Sequence, residues 1–261
     1  MKIAVLVKAV PDSEAVISVQ GDGESLEVEE KYELNFFDEL AVEEAVRIKE
    51  ALGDVEVVAV TYGPSRGMEA IRKAVAMGAD EAVFVEETED PWDKGFQCAR
   101  VLSSVVQSLG CDMVLCGRRA TDDEGAMVGP MVAELLGWPH VGAALEVAIS
   151  EDRLKATVLR EWDGGHERLE CPLPALITTQ KGLNEPRVPT IQGVMRGMKL
   201  KPNRVDASTV ELLGEEPRGR WERVRFMEPP KRPPVRFIEG DDPSTKAGEL
   251  VRILREEIKV L

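Results

Sequence analysis

The chain has 261 residues, enough for one large domain or one domain with an extension, and its 43% hydrophobic and 31% charged residues suit a packed core. Acidic residues outnumber basic ones 48 to 33, a formal charge of −15. That excludes a general nucleic-acid binder, since phosphate contacts need clustered Lys and Arg.

Residues 2–8 (KIAVLVK) form a short apolar run closed by Pro11, the mark of a buried parallel strand followed by a loop. The polar stretch 13–33, turning around Gly21 and Gly23, predicts a small hairpin or excursion. In DELAVEEAVRIKEAL, residues Leu40, Val42, Ala45, Val46 and Ile48 recur at helical spacing, with Asp38 as the expected N-cap and Gly53 as the stop. A strand at 55–63, a helix at 66–77, a strand at 81–86, a helix at 95–109 and a strand at 111–117 follow. Right-handed βαβ connections of this kind predict an α/β fold with a mostly parallel sheet flanked by helices on both faces.

Residues 143–180 then read as a β-rich excursion, with turns at Glu151-Asp152 and Asp163-Gly164-Gly165. The stretch 181–199, with Asn184, Pro186, Pro189 and Gly193, reads as irregular. Residues 217–236 hold seven basic residues, two acidic ones and five prolines, too proline-dense for a compact core and therefore extended. Ser244 is expected to cap a helix running to Leu261, with Leu250, Val251, Leu254 and Ile258 on one face. The predicted organisation is an α/β domain over 1–200 and an extended C-terminal arm over 201–261 that ends in a helix and packs on another protein.

The usual catalytic signatures are missing. The four cysteines show no C-x-x-C spacing and the two histidines no H-E-x-x-H pattern, so neither a metal centre nor a disulfide framework is expected. Neither a G-x-S-x-G elbow nor a G-x-x-x-x-G-K-[ST] loop occurs. No apolar run approaches the ~20 residues that span a bilayer, and the opening MKIAVLVKAVPDSE lacks a signal-peptide pattern, so a cytoplasmic location is expected.

Ligands of open parallel sheets bind beyond the carboxyl ends of the strands. Four segments fall there: Ala9-Val10-Pro11, Asn35 to Asp38, Thr61-Tyr62-Gly63, and Gly117 onward. In GRRATDDEGAMVGP a glycine, two arginines and a polar loop precede a helix, whose N-terminus offers free N–H groups to a phosphate. The alternative is a solvated loop with Asp122 or Asp123 as N-cap. Arg160 and Glu161 in LREWDGGHE form an ion pair, reach a partner, or line a solvated strand edge. His166 reads as a surface residue and Cys116 as core, while Trp138 and Trp162 suit core or interface equally. The apolar Val188, Ile191, Val194 and Met195 in a Pro/Gly-rich loop are candidate partner contacts, with burial against the body as the alternative.

Five stretches, NFFDELAVEEAVRIKE (35–50), AIRKAVAMGADEA (70–82), GRRATDDEGAMVGPMVAELLGWP (117–139), VLREWDGGHERLECPLPALITT (158–179) and LNEPRVPTIQGVMRGMK (183–199), together resemble the β subunit of electron transfer flavoprotein. That resemblance implies a heterodimer whose α subunit carries FAD while the β subunit buries AMP, and whose arm embraces the flavin domain. The pair takes electrons from acyl-CoA-type dehydrogenases and passes them to a membrane quinone oxidoreductase or another acceptor, without bond-making chemistry in this chain. Carried over by position, the resemblance gives the AMP contacts Leu6, Asn35, Phe36, Phe37, Asp38, Tyr62, Gly117, Arg118, Arg119, Ala120, Thr121, Asp122, Asp123, Glu124, Gly125, Ala126, Met127 and Val128. It implies a recognition loop at about 179–201 that docks dehydrogenases, with its anchor at Ile191 in place of the family's leucine. Arg160 is implied to lie near the flavin, and Glu161 in an ion pair that holds one orientation of the flavin domain.

The loop departs from the family's common G-K-Q-A-I-D-D-D and N-Q-T-G pattern, so that two polar side chains near the phosphate are replaced and Arg118 or Arg119 would compensate. Val128-Gly129-Pro130 resembles the electron-bifurcating branch, whose β subunit binds a second FAD instead of AMP, but that branch's threonine pair is absent from Pro91 to Gly95. A nucleotide-hydrolysing enzyme on the same sheet would need a Gly-rich loop where Ala9-Val10-Pro11-Asp12 stands. A standalone adenine-nucleotide-binding module would leave the arm without a use.

Overall fold

The computed structural model describes residues 1–21, 23–88, 94–215 and 224–261. The predicted opening strand is β1 (Lys2–Leu6), whose Ile3, Ala4 and Val5 are fully buried. The excursion after it contains β2 (Ala9–Pro11), paired antiparallel with β5 (Tyr32–Leu34), and a hairpin of β3 (Ile17–Gln20) and β4 (Ser25–Val28). Helix α1 (Phe36–Leu52) ends at Gly53 with φ of +79°, as its sequence predicts, but its N-cap is Asn35, not Asp38. Asp38 sits inside the first turn, where its carboxylate is committed to neighbouring strands instead.

Then come β6 (Glu56–Gly63), α2 (Gly67–Met77), β7 (Glu81–Glu86), α3 (Gly95–Leu109) and β8 (Met113–Gly117), each within two residues of its predicted bounds. Helix α4 (Val128–Leu136) leads to β9 (His140–Ile149), β10 (Lys155–Trp162), β11 (Gly165–Pro172) and β12 (Ala175–Thr179). Two elements run against expectation. The stretch read as irregular contains helix α5 (Ile191–Lys199), capped by the Thr190 hydroxyl, which accepts the Gly193 N–H at 3.1 Å. The segment beyond it supplies an edge strand, β13 (Asn203–Asp206), followed by a single 3₁₀ turn at Ala207–Thr209.

One nine-stranded sheet results, in the order β11-β10-β9-β12-β8-β1-β6-β7-β13. Only β10 runs antiparallel to its neighbours β9 and β11; the pairings from β9 through to β13 are all parallel. Side chains of α1 and α2 pack with Ile3, Val5, Val57 and Leu115 on one face, and those of α3 and α4 with Ala4, Leu6, Val60 and Val114 on the other. The chain winds outward from β1 through β6 and β7, then crosses back to place β8 on the other side of β1. The switch in winding direction therefore lies between β1 and β8, where parallel α/β sheets open a crevice at their carboxyl ends.

By contacts the chain divides into two compact units, residues 1–17 with 27–223, and residues 18–26 with 224–261. The second unit contains α6 (Pro243–Arg252), extended by a wider π turn over Ile253–Ile258. Its N-cap is Asp242 rather than Ser244: the carboxylate accepts the Ser244 and Thr245 N–H groups at 2.8 and 3.0 Å, and Pro243 occupies the first helical position. Of the predicted apolar face, Leu250, Val251 and Ile258 are exposed, and the buried residue of this helix is Ile253. Residues 224–240 form no helix or strand, in keeping with their prolines; 217–223 of the predicted extended segment lie outside the described residues.

Candidate functional site

The switch point is built on the first turn of α1. Asp38 is buried, and its two carboxylate oxygens accept the backbone N–H of Gly117 at the end of β8 (2.8 Å) and of Lys8 beyond β1 (2.9 Å). Burial pushes its carboxyl up to about 7, against those two N–H groups, Asn35 and Lys8, which favour the charged form. Asn35, equally buried, donates to Arg119 O at 3.0 Å and accepts the Thr121 N–H at 3.2 Å. The Thr179 hydroxyl at the end of β12 donates to Phe37 O at 2.8 Å, and Arg118 N–H to Thr179 O at 3.1 Å. Two short side chains one turn apart, Asn35 and Asp38, thus tie the ends of β1 and β8 to one helix start, and the Thr179 hydroxyl adds the end of β12.

Glycine at 117 is required by this closeness. A Cβ there would stand 2.5 Å from Asp38 Oδ1 and 2.6 Å from Phe37 Cβ. Gly129 is similarly confined, its Cβ falling 3.0 Å from Cys116 Sγ and from Thr178 Cγ2. The Val-Gly-Pro sequence therefore has a packing cause: the first turn of α4 lies directly on β8 and β12.

The loop from Gly117 to Val128 leaves β8 and enters α4 with Glu124 and Ala126 in the left-handed region, φ of +49° and +51°. The capped-helix alternative does not hold. The N-cap of α4 is Met127, with no side-chain hydrogen bond, while Asp122 and Asp123 turn away to grip Lys8 Nζ at 2.7 and 3.1 Å. Burial alone would lower the Lys8 ammonium, but the two carboxylates hold it above its usual range. Arg119 pairs with Glu124 at 3.3 Å, and its guanidinium lies 5.4 Å from the centre of the Phe37 ring. Its Nε is buried without a hydrogen-bond partner among the described residues. An uncapped helix start, a strained loop and an orphaned guanidinium N–H at one switch point fit an anionic group.

Leu6 is buried in the sheet beside Cys116 and Val60, on the face that α4 covers. Tyr62, on β6, is half-buried on that same face; burial and Glu87 push its hydroxyl up to about 12. Phe36 is exposed and meets Phe37 edge-on at 5.4 Å. The predicted contacts thus share one end of the sheet, with the tightest cluster at Asn35, Asp38, Gly117 and Arg119. Sequence reasoning passed over Lys8, just beyond β1, and Thr179, the last residue of β12.

Arg160 and Glu161 do not pair with each other, because consecutive strand residues point to opposite faces. Arg160 stacks on the Trp162 ring at 4.0 Å and faces Glu167 at 3.0 Å; burial, helped by the Arg160 charge, holds His140 below its ordinary value. Glu161 instead accepts a hydrogen bond from Gln180 and lies 3.8 Å from Arg118. Trp138 is partly buried against the core, Trp162 and His166 are exposed, and Cys116 is buried with its thiol pushed up.

The segment before α5 is clamped on α1. Asn184 donates to Leu40 O at 3.1 Å and to Glu44 at 2.9 Å; Arg187 grips Glu43 through Nε at 2.8 Å and Glu50 through Nη1 at 2.6 Å. Glu43 and Glu44 are buried, so these donors satisfy charges that would otherwise be costly. Beyond the clamp, Val188 and Ile191 stand almost free, 89% and 82% exposed, with Val194, Met195 and Met198 also open to solvent. Burial against the body, the alternative for these apolar residues, is excluded.

Comparison with known proteins agrees with this architecture. Residues 25–210 match the electron transfer flavoprotein domain. A rice (Oryza sativa subsp. indica) protein called electron transfer flavoprotein subunit beta, mitochondrial, is 38% identical over the whole of both chains. The Arabidopsis thaliana protein of the same name is 37% identical, again over the whole of both. The Homo sapiens electron transfer flavoprotein subunit beta is 36% identical over 97% of this chain and 99% of its own.

Proposed function

The chain belongs to the electron transfer flavoprotein family as a β subunit, and from that premise we propose that it binds AMP at the β1/β8 switch point and docks dehydrogenases through α5. Its partner is the family's α subunit, whose FAD supplies the redox chemistry. Electrons enter from acyl-CoA-type dehydrogenases and leave to a quinone oxidoreductase or another acceptor. This chain makes and breaks no bonds of its own, and the cytoplasm is its expected compartment.

One observation carries the nucleotide reading: the loop tied down through Asn35 and Asp38 runs from an arginine, whose buried Nε has no partner among the described residues, to the uncapped N-terminus of α4. Backbone N–H groups of the loop and Arg119 would hold the phosphate, with Arg118 beside them. Leu6, Tyr62 and Val128 offer an apolar bed for the adenosine part. The docking reading rests on Ile191, an apolar side chain left in water at the start of a helix held firmly from behind. Among the described residues no helix is long and apolar enough to cross a membrane, so the quinone oxidoreductase would supply the membrane contact.

Denaturing the heterodimer co-expressed with its α subunit and separating the released nucleotides tests this. One FAD and one AMP per heterodimer are expected. Two FAD without AMP would make this a bifurcating β subunit. FAD alone would remove the nucleotide site from this chain.

A further inference from the structure

We propose that Arg187 is a positioning residue for docking, holding Val188 and Ile191 in one arrangement on α1 so that a partner dehydrogenase meets an apolar pair already in order. The inference deepens the docking reading of Ile191, and rests on it. The two side chains, 89% and 82% exposed, lie on either side of Pro189, and residues 184–190 belong to no helix or strand. Apolar groups on such a segment ordinarily lose freedom when a partner takes them up, and that ordering costs affinity.

Arg187 removes that freedom at the root of the segment. Its Nε and Nη2 donate to the two oxygens of Glu43 at 2.8 and 3.1 Å, and its Nη1 and Nη2 to the two oxygens of Glu50 at 2.6 and 3.0 Å. Its backbone N–H donates to Glu43 Oε2 at 3.1 Å, so main chain and side chain are pinned to one carboxylate. Four of the five guanidinium N–H donors are thus used within the chain, which leaves the arginine little to offer a partner directly. Glu43 itself is 5% exposed and out of a partner's reach. Paired bonds of this kind are strict in their geometry. The pinned residue is joined to Ile191 by Val188-Pro189-Thr190. Pro189 has a fixed φ and confines Val188 to extended backbone, while Thr190 is committed as the cap of α5. This short, stiff link carries the position of Arg187 to both apolar side chains. A lysine at 187 would keep the charge but could not grip two carboxylates with paired bonds.

The test uses the co-expressed heterodimer as electron acceptor for an acyl-CoA dehydrogenase reduced by its acyl-CoA. KM and kcat are read separately, and thermal midpoints confirm that each variant is folded. Ile191→Ala and Arg187→Gln are both expected to raise KM at unchanged kcat. The Arg187→Gln rise should be about two- to tenfold, the scale of ordering one or two side chains on binding, and should vanish once Val188 and Ile191 are both alanine. Glu43→Gln should raise KM in the same direction, and it carries the test if Arg187→Gln does not fold. Arg187→Lys should fail to restore the native KM. If Ile191→Ala leaves KM unchanged, the docking reading falls and takes the proposal with it. The positioning role alone is overturned if Ile191→Ala raises KM while neither Arg187→Gln nor Glu43→Gln does. It is equally overturned if Arg187→Gln acts undiminished with both alanines in place, or if Arg187→Lys matches the native chain.

Discussion

Helix α5 owes its position to two glycines one turn apart. A Cβ at Gly193 would sit 2.4 Å from Ala76 O, and one at Gly197 would sit 2.4 Å from Arg72 O, whereas ordinary contact begins at 3.4 Å. Both obstacles are backbone carbonyls inside α2, which cannot rotate away. Gly197→Ala must therefore lift α5 by about 1 Å, strain its bond from Arg196 to Ala79 O, and loosen the helix that carries Ile191. Overpacking of this kind costs about 1–3 kcal/mol. Alanine also favours a helix over glycine by about 0.5–1 kcal/mol, and Gly197 has no left-handed φ to forbid it. The balance is a destabilisation of about 0.5–2 kcal/mol, read as a lowered urea midpoint of the heterodimer. Gly248 in α6 is the control, because nothing lies within 4 Å of a Cβ there and Gly248→Ala should gain the helix term alone. A Gly197→Ala midpoint that rises like the control's would refute the close helix contact.

Ile191→Ala should weaken electron transfer from the partner dehydrogenase by about 1–3 kcal/mol of docking energy while leaving assembly and bound nucleotide intact; loss of the heterodimer would make Ile191 structural instead. Asp38 gives a pH signature. Its folded carboxyl, at about 7, lies above the unfolded value of 3.8, so the native state holds the extra proton, and this group's contribution to stability is full below pH 4 and declines as pH rises to 7, by about 4 kcal/mol. Asp38→Asn should flatten that decline, yet cost about 1–3 kcal/mol below pH 4, because one amide oxygen must serve two backbone N–H groups. Unfolding midpoints between pH 4 and 7.5 decide it: since burial also raises Glu44, the comparison is the variant's slope against the native slope, and equal slopes would rule out Asp38 as the titrating group.

Periodicity made the sheet and its covering helices legible, because β1, β6, β7 and β8 are continuous apolar runs and the helices between them end at glycines. It failed at α5 for a physical reason. That helix is capped by Thr190 and held on α2 by the absence of side chains, so its most informative residues, Gly193 and Gly197, read as helix breakers. A Thr followed three residues later by one glycine and seven later by another was the available signal. At the site, the sheet rule found the right segments but not their wiring. Asp38 was read as a cap because Asp precedes an apolar periodicity; its role as an acceptor for Gly117 and Lys8 depends on strand ends 79 and 30 residues away in sequence. The cap alternative for Asp122 and Asp123 fails for the same reason, since both carboxylates reach Lys8.

The wiring also bears on how a chain of formal charge −15 would hold the proposed phosphate. Around the loop, Lys8 meets Asp122 and Asp123, and Arg119 meets Glu124, so side-chain charges are largely spent on one another. Net attraction would then be weak, and recognition of the proposed phosphate would pass to fixed donors: loop and helix N–H groups, and an arginine Nε with no acceptor among the described residues. Such donors need no favourable net charge, only a loop that cannot relax to satisfy them. Asn35 and Asp38 supply that rigidity by holding Thr121 and Gly117 to the start of α1. The acidic residues of the loop are therefore compatible with the proposed anionic ligand, because their charges are engaged by Lys8 and Arg119.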